Sequence, residues 1–175
     1  MSDFESERLS YNAITEEDTD DILRWRNSSD IKKYFLYRSD ISREDHLAWV
    51  RDRVNTGSAS QFIISETATG RRIGSVYIRD IDHAGHQGEY GIYIGETDCQ
   101  GLGYGTECAK AMIDYAFKKL GLNRIFLRVI DDNKKAIRSY EKAGFVTIPE
   151  GTEQVITDNE AVTVRFMEIC KEAAE

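Results

Sequence analysis

The chain has 175 residues, 41% of them hydrophobic and 31% charged, and this composition predicts one soluble, compact domain over residues 1–175. A net charge of −8 disfavours a general nucleic-acid binder, and no apolar run is long enough to predict a membrane-spanning helix. The polar N-terminus and three cysteines whose spacing fits no metal site predict a cytoplasmic protein with free thiols and no metal.

The first half of the chain is predicted to contain one strand, two helices and three further strands. Thr15 opens a capping box with Asp18 at the start of the first helix. Ser42 is the predicted N-cap of the second helix, whose apolar periodicity extends to Val54. The four predicted strands cover residues 8–14, 60–67, 71–82 and 88–95.

The second half begins with a glycine-rich loop that leads into a long amphipathic helix ending at Gly121. A second helix, capped by Asp132 or Asn133, ends at Gly144. This order of elements predicts a mixed α/β (α+β) domain and not a doubly wound nucleotide-binding fold. The strands of this half are predicted at residues 124–131, 153–157 and 161–169.

The loop Gln-Gly-Leu-Gly-Tyr-Gly, at residues 100–105, has the features of an anion-binding site. Its backbone N–H groups precede a helix, whose dipole is positive at that end, and its glycines allow a phosphate to approach closely. The loop lacks the lysine of a nucleotide-hydrolysing P-loop, and Thr106 stands where a dinucleotide fingerprint requires its third glycine. The alternative is that the glycines only form a tight turn into the helix.

The same loop matches the Gln/Arg-x-x-Gly-x-Gly/Ala motif of the GNAT N-acetyltransferases, and the chain resembles that family most strongly over residues 88–145. The resemblance implies a mixed, mostly antiparallel sheet flanked by helices, with a splayed central strand pair. It also implies that acetyl-CoA is the co-substrate, its pyrophosphate held by the loop and its pantetheine arm by the backbone of one splayed strand. The implied cofactor-binding residues are Ile92, Tyr93, Ile94, Gln100, Gly101, Leu102, Gly103, Tyr104, Gly105, Thr106 and Asn133.

Tyr140 is the candidate general acid. Residues 133–145 match the family pattern N-x-x-A-x-x-x-Y-x-K-x-G-F, in which the tyrosine protonates the departing thiolate of CoA. A phenol is protonated at neutral pH and can donate such a proton. The alternatives are that Tyr140 fills space in the core and that Asn133 is only a helix N-cap.

Glu89 is the candidate general base, because a glutamate on a central strand is costly unless it is hydrated or paired. Alternation along the strand places Glu89, Gly91 and Tyr93 on one face, unless a bulge interrupts it. The base would deprotonate the acceptor amine directly or through water. The alternative is a structural glutamate that reaches solvent or pairs with an arginine.

The acceptor side is predicted to come from residues 23–50, which are rich in aromatic and basic groups. This segment resembles the subgroup that acetylates the 4-amino group of a nucleotide-linked amino sugar in pseudaminic acid synthesis, and the resemblance implies that Arg26 and His46 bind the acceptor. Other members acetylate spermidine, protein N-termini or antibiotics, so the expected partner is a small-molecule amine of open identity. A non-catalytic acetyl-CoA-binding module and a homodimer through the C-terminal strands also stay open.

Overall fold

The structure, a computed structural model, describes residues 1–172, and its strands follow the alternating and apolar runs of the sequence. Within this range the strands are β1 (Phe4–Glu5), β2 (Leu9–Ala13), β3 (Ser60–Glu66), β4 (Arg72–Asp82), β5 (Gln87–Ile94), β6 (Arg124–Ile130), β7 (Val146–Thr157) and β8 (Glu160–Cys170).

Thr15 caps a short 3₁₀ turn at Glu16–Asp18 that leads directly into the α-helix beginning at Thr19, and Ser42 caps the helix beginning at Arg43. Thr15 and Ser42 both form capping boxes, with Asp18 and Asp45 respectively. No helix within residues 1–172 is long and apolar enough to cross a membrane. The α-helices are α1 (Thr19–Arg26), α2 (Ser29–Lys32), α3 (Arg43–Trp49, extended by a π turn at Val50–Val54), α4 (Tyr104–Lys118) and α5 (Lys134–Ala143).

The strands of residues 1–172 form one sheet in the order β1-β2-β3-β4-β5-β6-β8-β7, in which only β5 and β6 are parallel. The β5–β6 pairing covers only residues 87–89 opposite residues 124–126, although β5 continues to Ile94 and β6 to Ile130. The mostly antiparallel sheet and the splayed central pair that the sequence predicted are therefore confirmed.

The helices cover both faces of the sheet and enclose two clusters of buried side chains. On one face, α4 and α5 pack against the larger cluster, which contains Tyr90 of β5. On the other face, α1 and α2 pack against a cluster that contains Tyr93 of β5 together with Trp25. The register of β5 with β4 is regular from Glu89 to Ile94, so the predicted alternation along β5 is confirmed.

Three elements differ from the sequence predictions. β1 and α2 were not predicted, because segments of two and four residues carry too little periodicity to detect. β7 begins at Val146 instead of residue 153. A bulge between Thr147 and Thr152 accommodates Pro149 within this edge strand, where the missing N–H is tolerated.

Candidate active site

A cavity of about 1010 Å³ opens where β5 and β6 diverge. Its walls are formed by α1 to α3 and the segment between them, by β5, by the glycine loop and by α5. Leu102 and Tyr104 do not line it. The predicted site residues that do line it are Arg26, His46, Glu89, Ile92, Tyr93, Ile94, Gln100, Gly101, Gly103, Gly105, Thr106, Asn133 and Tyr140.

The glycine loop forms the N-terminus of α4 with a backbone geometry that favours glycine. Gly101 and Gly103 have φ angles of +76° and +84°, in the left-handed region. Gly103 is the N-cap of α4 and supplies no side-chain acceptor for the first N–H groups of the helix. These N–H groups and the positive end of the helix dipole fit a phosphate group, so the geometry suits the pyrophosphate of acetyl-CoA.

The two loop residues outside the cavity lining hold the loop in place. The Tyr104 hydroxyl donates to Glu66 over 2.9 Å, and the Arg8 guanidinium lies 4.6 Å from the centre of the Tyr104 ring. Arg8 also donates to the Leu102 carbonyl over 3.0 Å. These contacts anchor the loop to the N-terminal part of the sheet, and the role of Leu102 and Tyr104 in cofactor binding stays a prediction.

The splayed half of β5 borders both the cavity and the glycine loop. Ile92, Tyr93 and Ile94 pair with β4 on one side and have no strand pairing to β6 on the other. The Gln100 side chain donates to the Ile94 carbonyl over 2.9 Å, which ties the end of β5 to the loop. Backbone groups on the open edge of β5 are therefore available to an extended ligand.

Asn133 has one of the two roles considered for it in the sequence, that of a helix N-cap, and its role in cofactor binding stays a prediction. Its Oδ1 accepts the N–H of Ala136 over 3.3 Å, so Asn133 is the N-cap of α5, and the side chain also lines the cavity. The cap uses only Oδ1. The amide nitrogen can still donate to a ligand.

A basic stripe on α5 was missed in the sequence. Lys135, Arg138 and Lys142 lie three and four residues apart, share one helix face and line the cavity. On the same helix, the Ser139 hydroxyl lies 3.1 Å from that of Thr106 in the first turn of α4. Cationic side chains at this position suit the phosphates of CoA. Their helical spacing is visible in the sequence. That they lie where they can contact the phosphates of CoA follows only from the packing of α5 beside the glycine loop.

Tyr140 lies on the inner face of α5 and is buried, with 9% of its surface exposed. Its ring packs edge-to-face against Tyr90, with 5.9 Å between ring centroids. Burial raises the pKa of the Tyr140 phenol above its ordinary value, so the hydroxyl stays protonated at neutral pH. Because the side chain also lines the cavity, it fits the role of a proton donor.

Glu89 lies at the point where β5 and β6 begin to separate, and two arginines hold its carboxylate. Arg128 Nε of β6 lies 2.9 Å from Oε1, and Arg79 Nη2 of β4 lies 3.1 Å from Oε2. The carboxylate is buried, with 8% of the residue exposed. Of the two roles considered in the sequence, the structure contains the arginine pairing, and the role as general base stays a prediction.

Arg26 presents an unsatisfied donor at the acceptor end of the cavity. The residue is buried, its Nη2 donates to the Tyr37 carbonyl, and its guanidinium lies 3.7 Å from the centre of the Phe35 ring. Its Nη1 has no hydrogen-bond partner within residues 1–172. Burial lowers the pKa of this guanidinium from its ordinary value. A ligand with an acceptor oxygen would satisfy the free donor.

His46 also lines the cavity and is buried. Its Nδ1 is 3.1 Å from the Thr19 hydroxyl, and its Nε2 has no partner in the described part of the chain. Burial lowers the pKa of the imidazole, which favours the neutral form. Among the described residues, no group of three His, Cys, Asp or Glu side chains could hold a metal ion.

Comparison with known proteins links this geometry to a family. Residues 8–146 match the family model of the acetyltransferase (GNAT) domain. The spermidine N(1)-acetyltransferase of Vibrio cholerae is 27% identical over 139 residues, 79% of each chain. The acetyltransferase PseH of Campylobacter jejuni is 27% identical over 129 residues, which cover 74% of this chain and 77% of that protein.

One curated relative is much longer than the matched region. The uncharacterized protein MJ1062 of Methanocaldococcus jannaschii is 25% identical over 150 residues, 85% of this chain but 30% of that protein. This chain therefore spans about a third of that relative.

The fold is shared with a solved structure that contains CoA. The crystal structure of spermidine N-acetyltransferase from Vibrio cholerae in complex with CoA and spermine superposes with a TM-score of 0.84, over 93% of this chain and 95% of that chain. At 24% identity, this likeness concerns the fold alone. The family model, in contrast, covers most of the sequence, and the chain therefore belongs to the GNAT family of acetyl-CoA-dependent N-acetyltransferases.

Proposed function

We propose that the chain transfers the acetyl group of acetyl-CoA to a primary amine on a small acceptor that also carries an anionic group. The 4-amino group of a nucleotide-linked amino sugar is the acceptor that fits best. The observation that carries this proposal concerns Arg26, which lines a cavity rich in aromatic side chains. Its buried Nη1 has no hydrogen-bond partner within residues 1–172. Arginine beside aromatic rings suits a phosphate attached to a flat base or a sugar.

The carboxylates of the cavity argue against a polycationic acceptor. Among the described residues that line it, Glu89 is paired with two arginines, and Asp45 accepts the N–H and the hydroxyl of Ser42. Asp30 lies 3.7 Å from the Lys33 ammonium. A polyamine needs carboxylates that are free to meet its ammonium groups, and each of these three already has a partner.

The charge of the cavity wall also differs from that of the whole chain. The net charge is −8, yet the described cavity-lining residues include six basic side chains against three carboxylates. Three of the six lie on α5, on the side proposed for CoA. The other three are Arg26, Arg79 and Arg128. Local charge governs the affinity for a ligand inside a cleft more than net charge does.

The residues are assigned roles as follows. The backbone of residues 101–106 and of Ile92, Tyr93 and Ile94 binds acetyl-CoA, with Asn133 and the basic stripe of α5 on its phosphates. An N–H of β5 near Tyr93 stabilises the developing oxyanion. Tyr140 donates a proton to the departing thiolate. Arg26 and His46 bind the acceptor.

The test is a measurement of CoA thiol release with three acceptors in parallel: a UDP-linked 4-amino sugar, spermidine and a peptide with a free N-terminus. Release with the amino sugar is the expected result. Release with spermidine alone would overturn the anionic acceptor and favour the activity named for the Vibrio cholerae relative. Acetyl-CoA binding without release to any of the three would favour a protein that only binds the cofactor.

Replacing Arg26 with methionine should lower kcat/KM for the acceptor about tenfold or more, because a hydrogen bond to a charged group is lost. Methionine keeps the unbranched apolar part of the side chain and removes the guanidinium, including its contact with the Phe35 ring. The KM for acetyl-CoA should not change. The matched control is Arg24→Met on the same helix, whose side chain is 55% exposed, pairs with Glu96 and lies outside the cavity lining. Equal effects of the two variants would contradict the role of Arg26.

The pH dependence should reflect the acceptor amine and not Tyr140. An alkylamine gains its reactive neutral form as the pH rises, so kcat/KM should increase with pH. Because burial raises the pKa of Tyr140, the proton donor is retained, and we expect no alkaline decline below about pH 10. A pH–rate profile from pH 6 to 9.5 tests this, and a decline with a midpoint near pH 8 would contradict it.

A further inference from the structure

We propose that Glu89 and Arg128 form a positioning pair that sets the opening between β5 and β6, and that Glu89 does not act as the general base. This role presupposes the acetyltransferase activity proposed above but is independent of which amine accepts the acetyl group. Glu89, which the sequence analysis considered as the general base, therefore has a different role in this proposal: it fixes the geometry of the site.

The position of the pair coincides with the vertex of the splay. Glu89 and Phe126 are the last paired residues of the two parallel strands. Arg128 lies two residues further along β6, and its Nε reaches back across the opening to Glu89 over 2.9 Å. Arg79, directly opposite Glu89 on β4, donates to the same carboxylate over 3.1 Å from the other side. The carboxylate thus links three neighbouring strands where the backbone pairing ends.

The two sides of the opening carry different parts of the site. The backbone groups proposed to bind the pantetheine arm belong to β5, which is paired with β4 as far as Ile94. Tyr140 belongs to α5, which follows β6 in the chain, and β6 is paired with β8 along its whole length. A change in the angle between β5 and β6 would therefore move the proton donor relative to the cofactor. Displacements of about 1 Å in such a geometry are enough to slow a reaction up to 100-fold.

The hydrogen bonds of Glu89 favour positioning over proton abstraction. Oε1 accepts from Arg128, and Oε2 accepts from both Arg79 and Arg128. The Glu89 side chain is 10% exposed, and those of Arg79 and Arg128 are about one-third exposed. A base needs a lone pair directed at the amine or at a water beside it, whereas this carboxylate already serves two guanidinium groups that hold it in place.

A positioning role and a general-base role of Glu89 predict different effects of replacing Arg128. If Glu89 only positions, removing Arg128 disturbs the site as much as changing Glu89 does, and the two changes together are not additive. If Glu89 is the base, Glu89→Gln removes the proton acceptor, whereas the removal of Arg128 leaves it in place. Glu89→Gln would then lose far more activity than the removal of Arg128 does.

The experiment measures kcat and KM for acetyl-CoA for Glu89→Gln, Arg128→Met, Arg128→Lys and the double variant Glu89→Gln/Arg128→Met. The control is Arg124→Met. Arg124 lies on the same strand and also links β6 to β5, donating to Gln87 over 2.8 Å, but at the end of the pairing away from the opening and outside the cavity lining. The most active amine of the acceptor panel is used throughout.

We expect Arg128→Met to lower kcat/KM for acetyl-CoA about tenfold, and Arg128→Lys to restore part of this loss, since a displaced site reacts more slowly. Glu89→Gln should lower kcat/KM by a similar factor, and Arg124→Met should stay within about threefold of the wild type. A loss in Glu89→Gln that exceeds the loss in Arg128→Met about 100-fold or more, or additive losses in the double variant, would overturn the proposal. If Arg128→Met does not fold, Glu89→Gln and Arg128→Lys decide on the same criteria. Failure of the wild type to release CoA thiol would instead disprove the proposed activity.

Discussion

Replacing Tyr140 with phenylalanine should lower kcat about 100-fold while acetyl-CoA still binds, because the change removes the proposed acid and little else. The ring is buried between Tyr90 and Phe145, so phenylalanine can occupy the same space. The reaction expels a thiolate, and a phenol kept protonated by burial can supply the proton that it takes up. Single-turnover kinetics together with calorimetric titration of acetyl-CoA separate the chemical step from binding.

Tyr90→Phe is the matched control for this prediction. Tyr90 packs against Tyr140 at 5.9 Å, and its hydroxyl is fully buried without a hydrogen-bond partner in residues 1–172. Removing that hydroxyl takes away one oxygen from the same aromatic group and should leave kcat within about threefold. If Tyr140→Phe also stays within this limit, Tyr140 is a core tyrosine, as the sequence left open, and the thiolate departs without an acid.

The fold was largely readable from the sequence because its signals are local. Capping boxes at Thr15 and Ser42, apolar periodicity in α4 and β-rich runs in the central strands each depend on residues within a few positions. The start of β7 was missed because Pro149 normally interrupts a strand. Only the bulge and the edge position, which depend on β8, make it compatible with pairing.

The candidate site was predictable where a short motif carries it and unpredictable where it depends on contacts between distant residues. The glycine loop and Tyr140 are read from contiguous stretches. The partners of Glu89 lie 10 and 39 residues away, on strands whose order no local pattern specifies. The same holds for Arg26, whose unsatisfied donor becomes evident only when the carbonyl of Tyr37 and the ring of Phe35 are placed around it.

Replacing Gly103 with valine should weaken acetyl-CoA binding about 100-fold, which corresponds to the loss of about two hydrogen bonds to a charged phosphate. Gly103 is the N-cap of α4 and has a φ of +84°, a conformation that a β-branched residue adopts only with strain. The added side chain would also narrow the approach to the N–H groups of the loop. Calorimetric titration measures the dissociation constant, and thermal unfolding reports how much stability is lost.

Gly103→Val has two effects, backbone strain and blocked access to the N–H groups of the loop. Gly121→Val is the control that separates them. Gly121 has a φ of +68°, lies just beyond the other end of α4, has open space around its would-be side chain and is not part of the cavity lining. Valine there should reduce thermal stability as Gly103→Val does but leave acetyl-CoA affinity within about threefold. If both variants weaken acetyl-CoA binding equally, the effect is due to strain in α4 and not to blocked access to the loop. Wild-type affinity in Gly103→Val would mean that the glycines only shape a turn, because a phosphate held against this backbone could not tolerate the side chain.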